Sequence, residues 1–180
     1  MSSYDFRQML DQSNSASERL WWDKLLRNWP NYESHVWNET RYRQKEGRDV
    51  VVVYMGGHEI EVDVKLLKKP GNAVPLEVWH SRLDTPDGVG WPGWIDTLEN
   101  DFVVMGYQQS DMALAMHRPH LQRAFNQHWR KRKWTRNKFK TRDEYWTWNV
   151  WVPRADVLRR AGLWMLGIGT VPKRQDVMRL

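Results

Sequence analysis

The stretch HEIEVDVKLLKKPGNAVPLEVWH, residues 58–80, constrains the fold of this chain more than any other. Its first half alternates. Ile60, Val62, Val64 and Leu66 fall on one side of an extended strand, and Glu59, Glu61, Asp63 and Lys65 on the other. Lys69-Pro70-Gly71-Asn72 then reads as a turn. A second strand follows from Val74 to His80, with Glu77 and Trp79 on one face and Leu76 and Val78 on the other. Paired as a hairpin, the two strands would set Asp63 beside Glu77, about 5 Å apart at Cβ. Two carboxylates, with Lys65 two residues past Asp63, make an oxygen-donor site for a hard divalent cation, Mg2+ or Mn2+. The carbonyl of Val78 would be a further oxygen donor. The plainer reading of the same alternation is the solvated face of a strand.

Cleaving a phosphodiester needs a water made nucleophilic and a leaving oxygen whose charge is neutralised. A carboxylate-held cation supplies both, and a lysine beside it assists the water or steadies the transition state. The charge balance agrees with such a substrate. The net charge is +6 and the isoelectric point is near 9.6, which favours an anionic partner, nucleic acid first. Thirteen tryptophans among 180 residues either fill a core poor in Phe and Ile or stack on bases. With no cysteine there is neither a disulfide nor a thiolate metal site, which fits a reducing cytoplasm. No run of 18 apolar residues and no secretory pattern at the N-terminus imply a cytoplasmic protein without a membrane partner.

In chain order, residues 1–14 read as a flexible N-terminus. Ser15-Ala16-Ser17-Glu18 fits a capping box that opens a helix to about Trp29, with Trp21, Leu25 and Trp29 as its apolar stripe and Pro30 as its stop. Residues 31–46 carry helical spacing but are equally compatible with extended chain. Val50–Met55 is a buried strand that the Gly56-Gly57 turn joins to the alternating one. Residues 81–100 are loop-like around a short helix at 94–98, with strands expected at 101–107 and 112–116. Pro119 suits the first turn of a helix to about Lys133, Glu144–Val152 alternates as a strand, and Pro153 opens a last helix capped by Gly162. From residue 167 the tail reads as loose. A single domain over 15–166 results, an α/β (α+β layered) architecture in which strands and helices stack around one core.

Residues 130–142 are strongly basic. Arg130, Lys131, Arg132, Lys133, Arg136, Lys138 and Lys140, interleaved with Trp134, form the candidate nucleic-acid-binding segment, although such a run is also an ordinary solvated helix end. His58 and His80 flank the acidic strands without enough further ligands for zinc, and His117 with His120 lacks the His-Glu-x-x-His pattern. Gly56-Gly57 is a turn and not a phosphate loop, since neither GxxxxGK[ST] nor GxGxxG occurs.

The order of helix, β-hairpin and strand, Asp63 within IEVDVK, Glu77 within PLEVW, the GWPGWI loop at 90–95 and the DFVVMGY strand at 101–107 resemble the PD-(D/E)XK nuclease superfamily. The likeness is to small nuclease-like proteins of phages and bacteria, and it spans roughly Arg48 to Leu163. It implies a restriction-endonuclease-like central mixed sheet flanked by helices. It also implies a metal-dependent endonuclease acting on nucleic acid, DNA ahead of RNA, in the host cytoplasm if phage-encoded. Residue by residue, Asp63 matches the motif's Asp and Glu77 its acid. The lysine due two residues after Glu77 is Trp79 instead, and Lys65 is the natural substitute. An acid from the first helix often joins such sites, and Glu18, Glu33 and Glu39 are the candidates. Two other functions fit the same residues. One is a catalytically inactive nucleic-acid-binding module; the other is a Trp-rich protein-interaction or inhibitor module with Trp91 and Trp94 as an exposed hot spot. Oligomeric state is left open, a homodimer included.

Overall fold

The computed structural model describes residues 16–39, 48–67, 72–86, 89–137 and 144–167. Residues 1–14, the cap Ser15, Lys138, Lys140, Arg142 and the tail beyond Gly167 lie outside those residues.

The first helix, α1 (Ala16–Leu26), turns the stripe Trp21, Trp22, Leu25 and Leu26 inward, together with Trp29 just beyond it; all five are buried. Pro30 and the left-handed Asn31 (φ 56°) end the segment. The ambiguous stretch that follows opens as a strand, β1 (Tyr32–Trp37). Then come β2 (Val50–Tyr54) and β3 (Glu59–Leu67), joined at Gly56 (φ 101°) and Gly57 (φ 75°). Those positive dihedrals are the reason this turn carries two glycines. After β3 the order is β4 (Ala73–Ser81), β5 (Gly90–Pro92), the short α2 (Trp94–Thr97), β6 (Phe102–Tyr107) and β7 (Met112–His117). Next, α3 (Arg118–Ala124) continues as a π turn, Phe125–Trp129. The chain ends with β8 (Thr135–Arg136), β9 (Trp146–Pro153), α4 (Arg154–Arg160) and β10 (Gly162–Gly167). The helix expected to reach Lys133 therefore stops at Trp129, and β10 was not foreseen.

The strands form two sheets. One runs β1-β2-β3-β6-β7-β10, antiparallel except for the parallel pair β3–β6. The other runs β5-β4-β9-β8, antiparallel throughout. This corrects the expected hairpin. β3 and β4 are consecutive but are not hydrogen-bonded to each other, so Val50–Met55, Glu59–Leu67 and Val74–His80 do not share one sheet. The reason lies in β6. All six of its residues are buried, which requires neighbours on both edges and cover on both faces. β3 takes one of those edges, and β4 pairs instead with the tryptophan-rich β9.

The larger sheet is covered on both sides. Val50, Val52, Val62, Phe102, Val104, Ala113 and Ala115 pack under α1. Val103, Met105, Tyr107, Leu114 and Met116 pack against Val74, Leu76 and Val78 of the smaller sheet and against Ile95, Leu121, Phe125 and Trp129. The architecture is mixed α/β, with a helix on one face and a second sheet plus helices on the other. Gly106 marks the tightest contact with α1. A Cβ there would lie 2.6 Å from the ring of Trp22 and 2.7 Å from that of Trp21. Gly106→Ala should therefore lower stability by about 1–3 kcal/mol, read as an earlier urea midpoint at unchanged slope, because two packed indoles must move.

Candidate active site

The acid that faces Asp63 across a strand pair is Asp49. In the β2–β3 ladder Val53 is opposite Glu59 and Val50 is opposite Val62. One step further along the same register sets Asp49 opposite Asp63. Both project to the face turned toward the smaller sheet, since the flanking Val50 and Val62 go under α1. The Oδ2 of Asp49 accepts the amide of Val64 at 2.9 Å. Burial, and then the charge of Asp63, push the Asp49 carboxyl up to about 7. Asp63 is near enough that its charge adds to burial in favouring a proton on Asp49.

Asp63 is 3% exposed. The Nζ of Lys65 is 2.8 Å from its Oδ2. Burial alone would pull the Lys65 ammonium down, but Asp63, with Glu77 and Asp49 behind it, outweighs that and leaves it above its ordinary value. The ring of Trp94 lies on another side of the ammonium, 5.2 Å from Nζ to the centroid. Asp49, Asp63 and Lys65 thus sit at one spot on the central strands, in surroundings that keep the lysine charged.

Glu77 approaches from the other sheet. It is near enough to act on Lys65, and burial raises its carboxyl before Lys65 lowers it and Asp63 raises it again. It is therefore a neighbour of the site across the two layers, and not the cross-strand partner of Asp63. His80 lies beside it, Nε2 to Oε2 3.5 Å, and burial lowers that imidazole. The carbonyl of Val78 accepts the amide of Gly93 at 3.1 Å and is already engaged in the fold. Trp79, at the position where the motif would carry a lysine, is part of the core packing. Of the first-helix candidates, Glu18 is buried and pushed up to about 7. Glu33 sits exposed on β1 and Glu39 is exposed beyond it. Among the described residues no set of three His, Asp or Glu side chains is placed to hold a metal ion, so Glu18 does not complete the Asp49–Asp63 pair. The pair still fits Mg2+ or Mn2+. Both cations take hard oxygen donors, and Mg2+ commonly binds through one or two carboxylates with water or substrate oxygens completing the shell.

The basic segment is largely tied down. Arg130 pairs with Asp96 and bonds Asn126 Oδ1 at 2.7 Å. Arg132 pairs with Asp156 at 3.1 Å, and Arg136 pairs with Asp84 while stacking on Trp146, 3.9 Å to the centroid. Trp134 donates to the Arg130 carbonyl at 3.3 Å. Lys131 and Lys133 are exposed and have no ion pair among the described residues. Asp96, the partner of Arg130, belongs to α2, the helix that also carries Trp94 against Lys65. The segment thus begins one short helix away from the carboxylates. Of the two hot-spot tryptophans, Trp94 is buried, and Trp91 is 40% exposed in a cluster with His80 and Tyr145.

Asp49 is absent from the sequence-derived site because the pairing there runs across the Pro70-Gly71 turn. The signal was available at the other turn: strands closed by Gly56-Gly57 with Tyr54 opposite His58 set Asp49 against Asp63 by counting. Comparison with family models, with curated proteins and with solved structures finds no match for this chain. No helix among the described residues is long and apolar enough to cross a membrane.

Proposed function

We propose that this protein is a metal-dependent nuclease whose centre is Asp49, Asp63 and Lys65. The observation that carries the reading is the buried pair of acids opposite each other at the start of β2 and on β3, with a charged lysine 2.8 Å from one of them. Such a pair is costly without a cation, and perturbed acids gathered at one spot mark functional sites. The strand order supports the same reading. A helix, three antiparallel strands and a fourth strand parallel to the third resemble the restriction-endonuclease-like core, and Asp63-Val64-Lys65 supplies its acid-x-lysine unit directly. On this reading Trp79 replaces nothing.

Asp49 and Asp63 would hold Mg2+ or Mn2+, which supplies an activated water and neutralises charge on the phosphodiester oxygens. Lys65, fixed between Asp63 and the Trp94 ring, donates to the attacking water or to a non-bridging oxygen and keeps its proton while doing so. The overall positive charge draws the substrate in, with DNA the first nucleic acid to try. The test is cleavage of duplex, single-stranded and branched DNA and RNA with Mg2+ or Mn2+, stopped by chelator. Failure to cut any of them with either metal overturns the reading. Glu77→Gln is expected to cost less than about tenfold in rate, about 1.4 kcal/mol, because Glu77 biases Lys65 only through space. A larger loss would return Glu77 to the ligand set.

A further inference from the structure

A group of cationic side chains lies away from the candidate active-site triad. Between α3 with its π turn and α4 there is an open cleft of about 380 Å3. Its polar lining is His120, Arg123, Gln127 and His128 on one side and Arg159 and Arg160 on the other, with no carboxylate among the lining residues. Leu121, Phe125 and Trp129 hold the opposite face of α3 in the core, so the packing itself turns 120, 123 and 127 outward at helical spacing. Arg160 reaches the Nε2 of His128 at 2.9 Å, which fixes one guanidinium at the rim. Arg123 has no ion pair among the described residues. Arg159 leans on Asp156, and Asp156 also holds Arg132 at 3.1 Å. One carboxylate therefore links the cleft to the basic segment, and the exposed Lys131 and Lys133 continue the same surface.

We propose that this cleft binds phosphate groups, and that cleft and segment together form one track for the backbone of a nucleic acid. Single exposed cations are ordinarily solvated and need no ligand. Three guanidinium groups face a concavity with no acid among its lining residues, and Arg123 and Arg160 have no carboxylate partner among the described residues, so an anion entering the cleft supplies the charge they lack. Guanidinium forks match phosphate oxygens in pairs of hydrogen bonds. The continuity through Asp156 favours an extended polyanion over a lone phosphate. The inference rests on the nucleic-acid partner proposed above but not on cleavage.

The experiment measures binding of the full chain to labelled duplex and single-stranded DNA by anisotropy, in chelator, over a salt series. Arg123→Ala, Arg159→Ala and Arg160→Ala combined should flatten the slope of log affinity against log salt by about 2–3 for duplex DNA, and lower affinity near 0.1 M salt by about a hundredfold. Lys24→Ala with Arg27→Ala, exposed charges on the last turn of α1 and just after it, should leave the slope nearly unchanged. The corresponding triple Arg→Lys variant, which keeps the charge, should retain most of the slope. An unchanged slope in the triple alanine variant, with melting behaviour like wild type, overturns the proposal. So does DNA binding by wild type that an excess of pyrophosphate leaves unchanged while the triple alanine variant binds DNA as wild type does. Wild type that binds no DNA would remove both this track and the nuclease reading, whereas binding without cleavage would remove only the latter.

Discussion

Asp49→Asn and Asp63→Asn are each expected to reduce Mg2+-dependent cleavage by about three orders of magnitude or more while leaving the fold intact. Each change keeps the size of the side chain and removes a charged oxygen donor, and a cation held by two carboxylates tolerates the loss of one poorly. The same substitutions have an opposite effect on stability, which separates a damaged fold from a damaged site. Asp49 is held at about 7 by burial and by Asp63, so at pH 8 without metal it is a buried anion beside another acid. Asn removes that repulsion and can still accept the Val64 amide, so the metal-free Asp49→Asn protein should melt above wild type at pH 8. Added Mg2+ should raise the melting point of wild type and not of either variant. Lys65→Met should slow cleavage by about a hundredfold or more with a smaller effect on metal affinity, as expected of a group that acts in the transition state. Full activity in Asp49→Asn would show that the cross-strand acid is structural.

The second large effect is at Glu18. Burial pushes its carboxyl up to about 7, with the hydrogen bond from Trp22 pulling the other way. In the unfolded chain a glutamate titrates near 4.3. The folded value is the higher one, so the stability linked to this group is fully present below about pH 4 and is lost as pH rises through about 7. Asp49 behaves in the same sense, and the raised Glu77 adds to it. His80 and His117, both lowered chiefly by burial, oppose them, since their contribution is lost as pH falls below the ordinary imidazole range. Glu18 and Asp49, both held up to about 7, outweigh them between pH 8 and 6, and metal-free protein should melt a few degrees higher at pH 6 than at pH 8. Glu18→Gln keeps an acceptor for Trp22 and carries no charge. Solvent reaching the carboxylate screens part of this charge, so the gain should be about 1–2 kcal/mol at pH 8 and smaller at pH 5. For a chain of this length that is roughly 3–6 °C in melting temperature at pH 8. A melting point that rises with pH from 6 to 8, or a Glu18→Gln protein no more stable than wild type at pH 8, would contradict the buried-acid account. Cleavage should survive in Glu18→Gln, because Glu18 does not stand with Asp49 and Asp63 as a third ligand.

The chemistry of the site was legible before its composition was. An acid and a lysine two residues apart on an alternating strand, facing a second acid across an antiparallel neighbour, is the arrangement the fold contains. The neighbour is the preceding strand and not the following one. Both turns carry glycine, and the two hairpins would use opposite edges of β3, so the local sequence allows both. What removes the second is β6, which lies beyond both turns in the sequence and takes the edge of β3 that β4 would have used.

Local sequence determined the elements whose cause is local. The tryptophan stripe of α1 and its stop at Pro30 follow from side-chain periodicity and from the missing proline amide. The β2–β3 hairpin follows from two glycines that can take positive φ, and that hairpin already sets Asp49 against Asp63. Tertiary structure decided the rest. It sent β4 to a second sheet because a strand buried along its whole length claimed the edge of β3. It brought Glu77 back to Lys65 across two layers. It neutralised Arg130, Arg132 and Arg136 with Asp96, Asp156 and Asp84, acids 24 to 52 residues away. It also gathered cations from α3 and α4 into one cleft. Short-range order comes from backbone preferences that each residue carries with it. Which edges, faces and charges meet depends on a competition among segments far apart in the chain, and that competition is resolved only when the core is packed.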